Sequence, residues 1–224
     1  SNNFLASVYF GKKQLGVSFL DVSTGEFLTS QGNEEYIDKL LQNFQPSEIL
    51  IQKNNKTAFK QSFGDNFNVF YLEDWVYKED YAQEILTNHF QTNSLKGFGI
   101  EELPDGIVAS GAILYYLSET QHNRVQHITN IQRIAEDAYV WMDRFTIRNL
   151  ELYHSHSQNA VTLLDVIDKT LSPMGSRLLK RWLALPLKDI HKIRNRHEVV
   201  SYLKENQEIL QKIQYIYLYQ HHIY

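Results

Sequence analysis

Hydrophobic positions at the start of the chain recur with a period of two. Phe4–Phe10 (FLASVYF) is a β-branched and aromatic run, and Gly11-Lys12-Lys13 behind it has turn chemistry. Leu15, Val17 and Phe19 alternate with Gly16, Ser18 and Leu20, which predicts a second strand with two distinct faces. Ser23-Thr24-Gly25 is the next turn, with Gly25 free to take positive φ, and a third strand begins at 27–30. The first 32 residues thus read as a three-stranded antiparallel meander.

After Gly32-Asn33 the period changes. Asn33 can cap a helix, Glu34 and Glu35 put negative charge in its first turn, and Tyr36, Leu40, Leu41 and Phe44 recur at helical spacing up to Pro46-Ser47. Glu48–Gln52 (EILIQ) has the apolar centre of a strand buried on both faces. A short helix at Lys56–Phe63 and a strand at 67–72 follow. This order predicts an α/β unit in which an antiparallel meander leads into parallel strands. Helices at 75–92 (Trp75, Tyr81, Ile85, Leu86, Phe90) and about 106–122 (Ile107, Val108, Ala112, Ile113, Leu117) would cover the sheet. Gly97-Phe98-Gly99 between them has neither a preceding strand nor the third glycine of a dinucleotide fingerprint, and reads as a turn.

The polar stretch 122–126 marks a domain boundary, giving domains at 1–125 and 126–224, and 128–142 reads as irregular or extended. From Asp143 the pattern is all-helical. Thr162-Leu-Leu-Asp165 is a capping-box variant, and Ser172-Pro173 combines a capping side chain with a proline suited to the first helical position. In the helix that follows, to Pro186, Met174, Leu178 and Trp182 form one stripe, widened by Leu179 and Leu183, with Arg177, Lys180 and Arg181 on the other side. Asp189 opens another helix, predicted to bury Ile190, Ile193, Val200 and Leu203. Beyond Ile213, Tyr215, Tyr217 and Tyr219 alternate as in a strand.

Composition narrows the function classes. At 224 residues there is room for one large domain or two small ones, and 43% hydrophobic with 21% charged residues excludes a disordered chain. No apolar run approaches the ~20 residues of a membrane span, and the N-terminal sequence lacks a secretory pattern. The absence of cysteine excludes disulfides, zinc–thiolate sites and thiol nucleophiles, and a cytoplasmic location is the expectation. Residues 1–125 carry 9 Lys and Arg against 16 Asp and Glu, a net of −7. Residues 126–224 carry 13 against 10, a net of +3. With −4 overall, whole-chain electrostatic capture of DNA is not expected.

Motifs for chemistry are sparse. There is no phosphate-binding G-x-x-x-x-G-K-[S/T] loop, no G-x-S-x-G and no H-E-x-x-H. A ribonuclease-H-like nuclease needs carboxylates converging on metal ions, yet the first strand holds none. Asp21 and Glu26 flank a turn, where Asp21 is expected to accept backbone N–H groups. His154 and His156 point the same way on a strand but lack a third ligand at suitable spacing, so a surface loop is expected, and His221 and His222 carry the same caution. Lys180 and Arg181, with Arg177, can meet phosphates weakly or simply solvate a helix.

Two stretches carry a resemblance to a known family. RNLEL (148–152), TLLDVID and SPMGSRLLKRWLALPLKDIHKIRNRHEVVSYL resemble the start of the helical core, or lever, domain of the MutS family of DNA mismatch-repair proteins. GVSFLDVSTGEF resembles that family's connector domain. The resemblance implies a ribonuclease-H-like α/β connector at 1–125, followed by the N-terminal part of an all-α core at 126–224. It implies structural, domain-joining roles for Arg148, Asn149, Glu151, Pro173, Gly175, Arg177 and Trp182. The family reads mispaired duplex DNA as a homodimer, binds ATP and Mg, and recruits MutL, for which the connector is a docking surface. The mismatch-reading Phe-x-Glu and the ATPase motifs do not occur here, so the chain reads as a fragment without cofactor or catalytic residues of its own. The expected role is to couple mismatch binding to ATPase-driven clamp formation. The competing readings are a ribonuclease-H-like nuclease and a free-standing protein-interaction module.

Overall fold

The computed structural model describes residues 4–120, 125–152 and 161–220. They form two compact units that divide between Ile134 and Ala135.

The first unit is built on a mixed sheet. Strands β1 (Phe4–Phe10), β2 (Leu15–Asp21) and β3 (Phe27–Gly32) form the antiparallel meander. Strands β4 (Glu48–Gln52) and β5 (Val69–Leu72) add in parallel on the other side of β1, and β6 (Gln132–Arg133) pairs in parallel with β3. The spatial order is β5-β4-β1-β2-β3-β6. Ile49, Leu50 and Ile51 of β4 are all fully buried, as its unbroken apolar centre requires.

Alternation along β2 sends its neighbours to opposite faces. On one side Phe19 stacks on Phe44 with ring centroids 4.3 Å apart, and Phe4 meets Phe44 edge-on. Phe44 ends helix α1 (Glu34–Phe44), whose first turn is capped by the Asn33 side chain accepting the Tyr36 N–H. Helix α2 (Lys56–Phe63) adds Phe59 and Phe63 to the buried aromatics.

On the other side lies α4 (Pro104–Thr120), between the sheet and α3 (Glu79–Phe90). Because both flanks are covered, α4 is apolar nearly all round, and ten of its residues are buried. Small residues let it approach. A Cβ at Gly16 would fall 1.9 Å from the carbonyl oxygen of Asp105, and one at Gly111 2.7 Å from the Cα of Ala82. Ser110 donates to the Oγ of Ser18 (3.0 Å), and Ser18 donates to the Leu28 carbonyl (2.8 Å), so these buried hydroxyls are satisfied.

This unit extends past the boundary expected at 125/126. Ile128, Ile131 and Ile134 are buried in it, the Ile134 N–H donates to the Thr29 carbonyl, and ring nitrogens of His89 and His127 hydrogen-bond the carbonyls of Ile128 and Val22. The helix expected over 75–92 is split: a 3₁₀ turn at Asp74–Tyr77 precedes α3, with Lys78 extended between them.

The second unit contains α5 (Arg144–Asn149), α6 (Leu163–Ile167), α7 (Pro173–Ala184), α8 (Ile190–Glu205) and α9 (Gln207–Gln220). Four of these starts carry an oxygen-bearing cap. Asp143 accepts from Thr146 N, Thr162 and Asp165 form a reciprocal capping box, Ser172 accepts from Gly175 N, and Asp189 accepts from His191 and Lys192 N. Residues 138–140 bridge to 186–188, with Val140 N donating to Pro186 O and Lys188 N to Ala138 O.

Two expectations fail here. The face of α8 read as buried is only partly covered: Ile190 and Val200 are exposed while Ile193 and Leu203 are half-buried, and Met174, Leu178 and Trp182 of the α7 stripe are exposed as well. An apolar stripe states that a helix can be covered, not that a partner element is in place. The tyrosine alternation after Ile213 lies in helix, because α9 runs to Gln220. The Gln, Glu, Lys, Leu and Ile residues that begin α9 carry the helix forward, and cooperativity outweighs the strand preference of tyrosine.

Candidate functional site

Of the two carboxylates weighed for metal chemistry, that of Asp21 is used by a turn. Asp21 Oδ1 accepts the N–H of Ser23 (2.8 Å) and of Thr24 (3.3 Å), and the backbone of Glu26 closes the same turn by accepting from Asp21 N. Among the described residues no three His, Asp or Glu side chains come together as a metal-binding group. His154, His156, His221 and His222 lie outside the described residues. Among the described residues no helix is long and apolar enough to cross a membrane.

The segments that carry the signature residues of the helical unit are linked stepwise, from α5 to α6 and from α6 to α7. Arg148 and Asn149 end α5, after which Glu151 takes a left-handed φ of 45°. That turn buries Leu152 and aims two carbonyls at the start of α6: Glu151 O accepts Leu163 N and Leu152 O accepts Leu164 N, both at 3.3 Å. RNLEL and TLLD therefore form one backbone-linked joint. Asp168, after α6, binds the Thr170 N–H (3.1 Å), the Thr170 hydroxyl (2.6 Å) and the Ser176 hydroxyl on α7. Pro173 occupies the first turn of α7. A Cβ on Gly175 would sit 3.2 Å from Thr170 Cβ, so glycine leaves room for the loop held by Asp168.

On α7, Arg177, Lys180 and Arg181 are half-buried. Burial holds the Lys180 ammonium below its ordinary pKa. Trp182 presents its ring to Arg196 of α8, with the guanidinium carbon 3.9 Å from the ring centroid. Burial in turn lowers the pKa of Arg196. Trp182 thus joins two helices by a cation–π contact.

One constellation escaped the sequence. Trp75, expected to cover the sheet, is 45% exposed. Its ring meets Tyr81 and Tyr115 edge-to-face, at 5.0 and 5.1 Å, and those two rings are 6.1 Å apart. Beside it Phe70, 44% exposed, packs on Tyr116, whose hydroxyl donates to Glu48. Tyr115 lies a full 40 residues beyond Trp75, so no local spacing links them.

Comparison with known proteins agrees with this arrangement. The family model for MutS domain II matches residues 3–129, and that for MutS domain III matches residues 145–220. The chain is 81% identical over 214 residues to the DNA mismatch repair protein MutS of Flavobacterium psychrophilum, covering 96% of this chain and 25% of that protein. It is 79% identical over 215 residues to the Flavobacterium johnsoniae protein of the same name, with the same coverage. The Cytophaga hutchinsonii MutS is 54% identical over 208 residues, covering 93% of this chain and 24% of its own. The chain spans about a quarter of the length of these relatives. With an α/β unit matching domain II and a helical unit matching domain III in the same order, the chain belongs to the MutS family of DNA mismatch-repair proteins.

Proposed function

We propose that this chain is a transmission and docking segment of a mismatch-repair protein, coupling mismatch recognition to ATP-driven clamp formation in the longer polypeptide. The observation that carries the reading is the ordered pair of family matches, each falling on its own folded unit. Strand order β5-β4-β1-β2-β3 with β2 antiparallel supports a ribonuclease-H-like assignment for the α/β unit. That unit has a scaffold role in this reading, because Asp21 is committed to its turn.

The helical unit serves as the beginning of a lever. Its joints between α5 and α6, α6 and α7, and α7 and α8 are each fixed by a polar or cation–π contact. In this reading ATP and Mg binding and mismatch reading belong to other parts of the longer protein, whose nucleotide-binding loop and Phe-x-Glu do not occur in this sequence, and the homodimer is a property of that longer protein. The acidic α/β unit offers a docking surface for MutL.

The test is a titration of the chain with matched and mismatched duplexes, together with an ATPase assay. Weak binding without mismatch preference and no turnover are expected. Strong discrimination, or turnover abolished by a substitution within this chain, overturns the reading. Cleavage of an RNA–DNA hybrid with added Mg, lost in Asp21→Asn, would replace it with the nuclease reading.

A further inference from the structure

We propose that the aromatic cluster of exposed Trp75 and half-buried Tyr81 and Tyr115, with Glu84 and Glu119 beside it, docks an arginine-bearing segment of a partner protein. This rests on the reading of the α/β unit as a docking surface, and adds where the contact falls and which chemistry meets it.

Three observations point to such an occupant. First, the exposed Trp75 ring is held in place by the half-buried rings of Tyr81 and Tyr115. The three contacts are nearly perpendicular, with interplanar angles of 74°, 75° and 74°, so each ring fixes the others. A partner then loses little binding energy to ordering them, and Trp and Tyr are the residues that most often anchor interfaces. Second, the surroundings are anionic. Glu84 and Glu119 are exposed, and both act on Tyr81: burial first, then Tyr115 and these two carboxylates, hold its phenol above the ordinary pKa. Third, the combination repeats next to it, where Tyr116 packs on exposed Phe70 and donates to Glu48.

Ring faces attract cations, and a planar guanidinium stacks on them while its N–H groups reach carboxylates. A polyanion would be repelled by the glutamates and by a stretch whose net charge is −7.

The test titrates an oligoarginine peptide into the chain by calorimetry, at low and at physiological ionic strength. Saturable binding is expected, weakened about tenfold by Trp75→Ala. Glu84→Gln with Glu119→Gln is expected to weaken it and flatten its salt dependence. Oligolysine should bind less well, because an ammonium does not stack. Trp75→Phe, which keeps a ring in place, should retain part of the affinity, and a melting curve of Trp75→Ala checks its fold. No binding, or binding that ignores Trp75→Ala and treats arginine and lysine alike, overturns the proposal. So does concentration-dependent self-association lost in Trp75→Ala, which makes a second copy the occupant.

MutL titrated into the same variants separates the two readings. If the chain binds MutL equally with Trp75→Ala, the docking surface stands and this site falls. If it does not bind MutL at all, the docking reading falls, and the peptide series still decides the site.

Discussion

The guanidinium carbon of Arg196 lies 3.9 Å from the centroid of the Trp182 indole, so α7 and α8 are joined by a cation over a ring. Both helices leave large apolar side chains exposed, Met174 and Leu178 on one and Ile190, Val199 and Val200 on the other, which gives this contact unusual weight in the unit. Arg196→Ala should destabilise the helical unit by about 0.5–1 kcal/mol. Arg196→Lys should restore only part of that, since the ammonium keeps the charge but not the planar stacking. Burial lowers the guanidinium pKa, but from so high a value that the cation persists wherever the fold does. Urea unfolding followed by Trp182 emission, with Trp75 and Trp141 replaced by Phe, measures this. An unchanged midpoint in Arg196→Ala would show that the stacking contributes nothing.

A second prediction sets two glycines against each other. Gly16 lets α4 lie on the sheet, and a Cβ there would collide with the Asp105 backbone at 1.9 Å. Backbone cannot swing aside as a flexible side chain does, so Gly16→Ala must displace α4 and should cost about 1–3 kcal/mol or more. Gly97 has nothing within 4 Å of its Cβ position and no positive φ. Gly97→Ala should be neutral, or stabilise by up to about 1 kcal/mol by restricting the unfolded chain. Denaturant midpoints of the two variants give the comparison, and equal effects would rule out the close approach of α4.

The elements whose own residues carry their signal were legible in the sequence. β2 declares itself by alternation, α7 by Ser172-Pro173, and α6 by Thr162 and Asp165. What depends on distant partners was not. β6 is two polar residues, Gln132-Arg133, and exists because Ile128, Ile131 and Ile134 bury beside it while Thr29 offers a carbonyl. Trp75 has the composition of a core residue, and its exposure follows from the 3₁₀ turn that breaks the expected helix before α3. For the signature residues, the motif marked Gly175 and Trp182 as structural. Only the fold supplies the reasons, which are Thr170 beside one and Arg196 over the other.

A buried hydroxyl pair in the first unit yields a third prediction. Ser7 Oγ and Tyr77 Oη lie 3.3 Å apart, both buried, and desolvation drives the Tyr77 phenol well above its ordinary pKa so that it stays protonated. Tyr77→Phe should cost about 1–3 kcal/mol, because it leaves the Ser7 hydroxyl buried without its partner. The paired change Ser7→Ala with Tyr77→Phe should cost less than the sum of the single changes, since both polar groups are then gone. A double-mutant cycle from urea unfolding tests the coupling, and strict additivity would show that the two hydroxyls do not interact.

Acid should act oppositely on the two units. In the helical unit Asp143, Asp165, Asp168 and Asp189 are all held below the ordinary carboxylate pKa by hydrogen bonds: chiefly from Thr146 N, from Thr162, from the hydroxyls of Ser176 and Thr170, and from Lys192 and His191 N. A folded-state pKa below the unfolded value of about 3.9 contributes stability that is present above that value and lost as pH falls through the folded one. In the α/β unit Asp105 shows the reverse. Burial raises its pKa, Gln14 partly opposes this by a hydrogen bond, and Glu79 adds to the rise. Ionised Asp105 therefore works against folding above its folded pKa, and protonation relieves it as pH falls through that value. Lowering the pH below about 4 should melt helical signal from the second unit first. Asp168→Asn should lower its stability at neutral pH and shrink its acid sensitivity. Asp105→Asn should stabilise the first unit at neutral pH, with the gain disappearing in acid. Circular dichroism and hydrogen exchange across this pH range, assigned to each unit, check the signs. An Asp105→Asn variant no more stable than the parent at neutral pH would overturn the assignment for the α/β unit.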